Sequence, residues 1–246
     1  ENTQPALLTV SVAYARVLAA EGLKPDVVAG HSLGEYSALV CAGALGFADA
    51  VRLTRLRGQA MQSAVPLGVG TMAAIIGIKD PAVIEQLCAD AAEGQIVEPA
   101  GYNTPGQVVI AGHVEAVQRA LALVGERRGA GKELNVSAPF HCSLLLPAGE
   151  ALAVALESVE IGPLALPYVP NVTGAWTIDP PAADVKKNLV DQVSKAVLWE
   201  RSMESMAAHG VDSWLEVGAG RTLVGLIKRF DRKTSAEAFE SEAWRA

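Results

Sequence analysis

The segment Gly30-His31-Ser32-Leu33-Gly34 limits the possible folds of this chain more than any other feature of the sequence. The short run Asp26–Gly30 before it has the composition of a strand, and Gly34–Ala44 after it has the pattern of a helix. Glycines on both sides of Ser32 permit a sharp strand-to-helix turn, the nucleophile elbow, which presents the hydroxyl at the helix N-terminus. The pattern predicts an α/β fold with a parallel sheet and a nucleophilic serine, with an ordinary glycine-rich turn as the alternative.

A second pattern predicts a subdomain inserted into this α/β fold. Between Gly68 and Pro139 the strand and helix patterns follow the order β-α-β-β-α-β, which is the ferredoxin-like unit. Its last strand is predicted at Lys132–Ser137, and the final stretch of the chain, Lys233–Ala246, is polar and weakly patterned. We therefore predict a core over residues 1–67 and 139–246 and an inserted subdomain over residues 68–138.

Composition narrows the class of protein further. Half of the 246 residues are hydrophobic, and the net charge is −7, from 20 Lys and Arg against 27 Asp and Glu. An acidic chain without a basic block is not typical of nucleic-acid-binding proteins. No apolar run reaches the roughly 18 residues of a membrane span and no secretory leader opens the sequence, so we expect a cytoplasmic protein. Cys41, Cys88 and Cys142 lack metal-ligand spacing, which predicts a reducing compartment and no metal site.

A nucleophilic serine needs a general base, and the chain has four histidines: His31, His113, His141 and His209. His31 is adjacent to the serine and points away from its hydroxyl in an elbow. His113 ends a predicted strand and His209 ends a predicted helix, where structural roles are typical. His141 lies in the loop Ala138–Cys142 between the insertion and the returning core, which favours it as the base. A purely structural histidine is the alternative.

Arg57 is an arginine on the apolar face of a helix predicted over Phe47–Ala64. At about 100° per residue it falls within an apolar arc, which is formed by Leu53, Leu56, Ala60, Met61 and Ala64. A buried guanidinium needs an anionic or carbonyl partner. The pattern leaves three interpretations open: an internal salt bridge, a side chain that reaches solvent, or a fork that binds a substrate carboxylate.

The ten residues Gly30–Leu39 closely resemble the active-site segment of the malonyl-CoA:acyl-carrier-protein transacylases of fatty acid synthesis. The resemblance extends over nearly the whole chain through Phe47–Gly58, Gln107–Gly112, Pro139–Cys142, Pro170–Val172 and Glu216–Leu223. It implies an α/β-hydrolase-like parallel-sheet core with an inserted ferredoxin-like subdomain, in agreement with the element order above. It also implies transfer of a malonyl group from malonyl-CoA to the phosphopantetheine thiol of acyl carrier protein.

The resemblance implies a role for each residue of the site. Ser32 is the nucleophile that becomes malonylated, and His141 is the general base, oriented by the backbone carbonyl of Gln192. Arg57 pairs with the free malonyl carboxylate, and the Leu33 N–H supplies half of the oxyanion hole. The further residues expected to line the substrate site are His31, Asn103, Phe140 and Asn171. No cofactor is implied, and we expect a monomer whose partners are malonyl-CoA and acyl carrier protein, with no nucleic acid or membrane.

One element of the family pattern has no counterpart in the sequence. The second oxyanion donor of the family comes from a Gly-Gln-Gly segment near its N-terminus, and no such segment occurs here. Losing one such donor costs about 10²–10³ in rate. This leads to the hypothesis that the chain is a truncated or separately processed part of a longer protein.

Two other functions fit parts of the pattern. An esterase or thioesterase would use the same elbow, but it requires an acid between the serine and the histidine in chain order. The intervening Asp49, Asp80 and Asp90 lie at predicted helix starts or within the insertion, which makes a triad awkward. An inactive or partner-dependent fragment of an acyltransferase is the other alternative, and the missing Gly-Gln-Gly segment favours it.

Overall fold

The computed structural model describes residues 2–241 and is a mixed α/β protein. Its α-helices are α1 (Thr3–Ala20), α2 (Gly34–Cys41), α3 (Phe47–Ser63), α4 (Pro81–Ala92), α5 (Val114–Glu126), α6 (Leu146–Glu157), α7 (Ala182–Ser194), α8 (Trp199–Ala208) and α9 (Thr222–Phe230). Its strands are β1 (Val28–Ala29), β2 (Gly70–Ile76), β3 (Val97–Thr104), β4 (Gln107–His113), β5 (Ala130–Glu133), β6 (Tyr168–Val169), β7 (Ser213–Glu216) and β8 (Ser235–Ala238).

Strand β1, the turn after it and helix α2 form the strand–turn–helix unit that the motif predicts. β1 pairs in parallel with β6, and α2 begins at Gly34, two residues after Ser32. Ser32 has a φ of 51°, in the left-handed region that residues with a side chain rarely adopt. The chain therefore reverses sharply with the serine at the apex of the turn.

The middle of the chain forms a four-stranded antiparallel sheet in the order β3-β4-β2-β5. Helices α4 and α5 pack against one face of this sheet and enclose a hydrophobic cluster of their own. Asp80 caps α4 by accepting the backbone N–H of Ala82, and Pro81 occupies the first turn, which fixes where this helix begins. The observed element order is β-α-β-β-α-β.

Three details differ from the sequence prediction. The strand predicted at Lys132–Ser137 is β5 at Ala130–Glu133, because pairing with β2 ends there and the chain then turns toward Pro139. The weakly patterned stretch from Lys233 contains β8, which pairs in parallel with β7, while its residues 242–246 lie outside the described part. Within residues 2–241 the parallel strand pairs are β1–β6 and β7–β8, which form two separate sheets, whereas the sequence predicts one parallel sheet.

The larger hydrophobic core lies among helices α1, α2, α3, α6 and α7. The segment after α7 pairs with the antiparallel sheet along β3, where Ala100 accepts the N–H of Val197 and Val197 accepts the N–H of Tyr102. These backbone hydrogen bonds hold the segment after α7 against the sheet. The candidate site lies next to this contact. In residues 2–241 no helix combines the length and apolarity needed to cross a membrane.

Candidate active site

Ser32 and His141 meet at the end of the elbow. The Ser32 Oγ lies 2.7 Å from the His141 Nε2, although 109 residues separate them in the chain. His141 has a φ of 62°, so both residues occupy the left-handed region. Two non-glycine residues in this conformation, in direct contact, indicate backbone strain of the kind that proteins retain at active sites.

The second ring nitrogen of His141 defines its tautomer. The Nδ1 lies 2.6 Å from the backbone carbonyl oxygen of Gln192, which can only accept a hydrogen bond. The proton of the neutral ring is therefore on Nδ1, and Nε2 is free to accept from the Ser32 hydroxyl. Burial, reinforced by the nearby Arg57 cation, lowers the pKa of His141 to about 3, so the ring is neutral near pH 7.

Arg57 approaches the same serine from helix α3, and its side chain is only 2 % exposed. Its Nη2 donates to the Ser32 Oγ at 3.0 Å and to the Gln192 Oε1 at 2.9 Å, and its Nη1 donates to the Gln4 Oε1 at 2.6 Å. No carboxylate within residues 2–241 is in ion-pair contact with it. The alternatives of an internal salt bridge and of a solvent-reaching side chain are therefore wrong. Burial lowers the pKa of Arg57, and Tyr36 and Glu35 oppose this effect.

Asn171 contacts the elbow backbone, and its side chain is fully buried. Its Oδ1 accepts the Ser32 N–H at 2.6 Å, and its Nδ2 donates to the Gly30 carbonyl at 2.7 Å. The side chain thus bridges the two sides of the turn around the serine. Both ends of the Asn171 amide are therefore used by the elbow, and its contact with a substrate stays a prediction.

The other residues predicted for the site are His31, Asn103, Phe140 and Leu33, and each has different contacts. His31 is half-buried, with its Nε2 2.9 Å from the Asn103 Oδ1 and its ring 5.5 Å from that of Trp199, and burial lowers its pKa. Phe140 packs between the main core and the sheet, next to His141. Within the described residues the Leu33 N–H, at the start of α2, has no hydrogen-bond acceptor.

The other two histidines form hydrogen bonds with backbone groups outside the elbow. The Nδ1 of His113 accepts the Ile96 N–H at 2.9 Å, within the antiparallel sheet. His209 caps the end of α8 with its Nδ1 2.7 Å from the Ser205 carbonyl, and its ring stacks on Trp176. Neither histidine is placed to act on the serine.

Two residues of the hydrogen-bond network are absent from the sequence prediction. Gln4, in the first turn of α1, accepts from Arg57, and Glu35 lies buried in α2 beneath the elbow. Glu35 is the single charged residue in the eight-residue helix Gly34–Cys41, a signal that could have indicated a buried partner. For Gln4 no comparable signal exists, since its position becomes meaningful only after α1 packs against α3.

Comparison with known proteins identifies the family. The sequence profile of the acyl transferase domain matches residues 1–233 of the chain. The chain belongs to this acyl transferase family. A malonyl CoA-acyl carrier protein transacylase from Salmonella typhimurium is 50% identical over 246 residues, which cover 98% of this chain and 78% of the relative. A protein of the same description from Bacillus subtilis is 42% identical, covering 94% of this chain and 73% of its own length.

Solved structures of the acyl transferase family agree with this assignment. An acyl carrier protein S-malonyltransferase from Vibrio cholerae superposes with a TM-score of 0.92 at 46% identity, covering 96% of this chain and 77% of the other. A malonyl-transacylase solved in complex with a type II polyketide synthase acyl-carrier protein superposes with the same score at 47% identity, covering 96% and 76%. The fold is therefore that of the acyl transferase family.

Proposed function

We propose that this chain transfers a malonyl group from malonyl-CoA to the phosphopantetheine thiol of an acyl carrier protein in fatty acid biosynthesis. One observation carries the proposal beyond membership in the family. Arg57 is a buried cation in contact with the nucleophile, and no carboxylate within residues 2–241 pairs with it. A site of this kind favours an acyl group that brings its own carboxylate, as malonyl does.

The first half-reaction uses the two residues at the elbow. The Ser32 hydroxyl gives its proton to the His141 Nε2 while its oxygen attacks the thioester carbonyl carbon. The tetrahedral intermediate collapses, the carbon–sulfur bond breaks, and the proton on Nε2 passes to the departing CoA sulfur. The product is a malonyl ester on Ser32.

The second half-reaction repeats the same steps with a different thiol. His141 accepts the proton of the phosphopantetheine thiol, the sulfur attacks the ester carbonyl, and the Ser32 oxygen leaves and takes the proton back. Two acyl transfers through one serine predict ping-pong kinetics. No step is assigned to a cofactor, and the cytoplasmic location and monomeric state remain predictions from the sequence.

The oxyanion of each intermediate forms next to the start of α2. The Leu33 N–H, at the positive end of this helix, is the donor that we assign to it. We assign His31, Asn103 and Phe140 to the walls of the substrate site, because they surround the elbow on the side of the sheet. We also assign Asn171 to holding the elbow.

The proposal includes a division of the chain into a core and an inserted subdomain. We assign residues 1–67 and 139–246 to an α/β-hydrolase-like core and residues 68–138 to an inserted ferredoxin-like subdomain. The parallel β1–β6 pair at the elbow supports the first assignment. The β-α-β-β-α-β order and the separate hydrophobic cluster support the second.

The group that contacts the His141 Nδ1 disfavours a hydrolase. The two functions differ in the group that accepts the acyl group, which is water in a hydrolase and a thiol in a transferase. A serine hydrolase triad needs a carboxylate at Nδ1, and here the Gln192 carbonyl occupies that position. The test is to incubate the protein with malonyl-CoA and pantetheine and to quantify malonyl-pantetheine and free malonate. Transfer predicts that the thioester dominates, whereas free malonate as the main product would establish a hydrolase.

A further inference from the structure

Glu35 is a buried carboxylate to which the proposed mechanism gives no task. It lies three residues after Ser32 in α2, and its side chain is 1 % exposed. A carboxylate is costly to bury unless hydrogen bonds compensate it. Its presence beneath the nucleophile therefore calls for a function that an apolar residue could not perform.

One carboxylate oxygen of Glu35 makes two hydrogen bonds to two different segments. Oε2 accepts the backbone N–H of Asn171 at 3.1 Å and the side-chain Nε2 of Gln192 at 2.7 Å. Oε1 has no hydrogen-bond partner among residues 2–241. The Glu35 side chain forms no hydrogen bond with the functional groups of Ser32, His141 or Arg57. Its charge acts directly on Arg57, but any effect on the positions of these groups passes through its two partners.

Each partner of Glu35 holds a different part of the site. Asn171 bridges the Ser32 N–H and the Gly30 carbonyl and so fixes the elbow. Gln192 places its carbonyl against His141, while its side-chain Oε1 accepts from Arg57 and its Nε2 donates to the Ser32 carbonyl. The serine, the base and the guanidinium are thus all connected to one buried oxygen.

We propose that Glu35 is a positioning residue: its Oε2 fixes Asn171 and Gln192 and thereby sets the Ser32–His141 pair and the direction of the Arg57 fork together. The part of this inference that concerns Arg57 and malonyl selection rests on the proposed function. The part that concerns the serine and the histidine holds for any acyl transfer at this elbow.

The role depends on the position of the oxygen rather than on its charge. Both contacts are accepted by lone pairs that a protonated carboxyl or an amide also offers at that atom. Burial raises the pKa of Glu35 to about 7, with the hydrogen bonds from Asn171 and Gln192 and the charge of Arg57 opposing the shift. A proton placed on the unpartnered Oε1 would leave both hydrogen bonds intact.

Two variants separate position from charge. Glu35→Gln keeps an oxygen at the Oε2 position and removes the charge, whereas Glu35→Asp keeps the charge and withdraws the oxygen by one methylene. The first readout is the rate constant for labelling Ser32 with a fluorophosphonate, which needs the serine and its base but no malonyl group. The second is the ratio of kcat/KM for malonyl-CoA over acetyl-CoA, which does not depend on the fraction of protein that is folded.

The proposal predicts that Glu35→Asp slows labelling about tenfold to a hundredfold, as a misplacement near 1 Å does, and lowers the malonyl-to-acetyl ratio. Glu35→Gln is expected within about threefold of the parent protein in both readouts. Parent-like labelling and ratio in Glu35→Asp, or a larger loss in Glu35→Gln than in Glu35→Asp, would overturn it. Failure of the parent protein to use malonyl-CoA would contradict the proposed function instead, while the labelling comparison would still decide the role of Glu35.

Discussion

Arg57 illustrates how a single residue acquires function from its surroundings. Its guanidinium is buried against the Tyr36 ring, 5.8 Å from the ring centroid, and its hydrogen-bond acceptors are neutral oxygens of Gln4, Ser32 and Gln192. Neutral oxygens accept hydrogen bonds from Nη1 and Nη2, whereas the buried Nε has no partner among residues 2–241 and the positive charge is left uncompensated by close contact. The charge is therefore available for an incoming carboxylate.

Arg57→Ala is expected to lower kcat/KM for malonyl-CoA much more than for acetyl-CoA. A charge-assisted hydrogen bond contributes about 1.5–3 kcal/mol, which corresponds to a loss of roughly tenfold to more than a hundredfold. Arg57→Lys keeps the charge without the planar fork and should lie between the parent and the alanine variant. An equal loss with both thioesters would show that Arg57 does not select the acyl group.

Glu35→Gln is also expected to change the pH dependence of stability. The pKa of Glu35 is about 7 in the folded protein, above its ordinary value of 4.5, so the folded state binds the proton more tightly than the unfolded chain does. Its contribution to stability is therefore complete below about pH 4.5 and is lost as the pH rises to about 7. Glutamine does not titrate, so the Tm of Glu35→Gln minus that of the parent should increase from pH 4.5 to pH 7.

The expected change is at most about 3 kcal/mol in the free energy of unfolding. His141 acts with the opposite sign, because its pKa is lowered, and its contribution rises with pH between about 3 and 6.5. That contribution is present in both proteins and cancels in the difference. A Tm difference that stays constant across this range would show that Glu35 does not titrate as described.

At the scale of elements, the elbow depends on the close approach of its two glycines. A Cβ on Gly30 would lie 2.0 Å from the backbone carbon of Gly34, whereas a Cβ on Gly34 would meet no atom within 4 Å. The strand can reach the helix so closely only because position 30 has no side chain. The two glycines of the motif therefore have unequal importance for the fold.

Gly30→Ala and Gly34→Ala form a matched pair that tests this asymmetry. We expect Gly30→Ala to lower the Tm strongly, by a free energy of at least about 3 kcal/mol, because backbone must move to admit the methyl group. Gly34→Ala, at the first position of α2, should leave the Tm unchanged or slightly higher, since alanine favours a helix. Thermal melting followed by circular dichroism measures both, and similar Tm values for the two variants would contradict the elbow geometry.

Local signals explain which elements the sequence predicts well. α4 is predicted with the observed bounds because Asp80 caps it and Pro81 begins it, both of which are local features. β8 is missed because Ser-Ala-Glu-Ala has no strand pattern of its own. It becomes a strand through pairing with β7, a contact between segments about 20 residues apart that no local rule supplies.

At the scale of the whole molecule, the antiparallel sheet helps to place the general base. Glu98, on β3, accepts the Ser143 N–H at 2.8 Å and the Ser143 hydroxyl at 2.7 Å. Ser143 follows His141 by two residues. The loop that contains both holds the backbone of His141 in the left-handed region. The two parts of the molecule are thus connected directly behind the base.

Glu98→Ala is expected to slow fluorophosphonate labelling of Ser32 by about tenfold, because the loop that carries His141 loses two charge-assisted hydrogen bonds. Ser143→Ala removes only the hydroxyl contact and should have a smaller effect. Neither variant touches the partners of Arg57, so the malonyl-to-acetyl ratio should not change. A changed ratio, or labelling at the parent rate in Glu98→Ala, would refute this role of the sheet.

The assembled site is only partly predictable from the sequence. The motif around Ser32 predicts it as the nucleophile, and the loop position of His141 favours it as the base. The Gln192 carbonyl follows only from the resemblance to a family, since a backbone oxygen carries no residue-type signal. The contacts of Gln4 and Glu35 join segments up to 157 residues apart and depend on how α1, α2, α3 and α7 pack.

Intact-protein mass spectrometry after brief exposure to malonyl-CoA, with Ser32→Ala as the control, shows whether Ser32 accepts a malonyl group. We expect one malonyl adduct on the parent protein and none on the control, and removal of that adduct when pantetheine is added. No adduct on a folded parent protein that fluorophosphonate does label would contradict malonyl transfer at this site. An adduct that persists in Ser32→Ala would show that Ser32 is not the nucleophile.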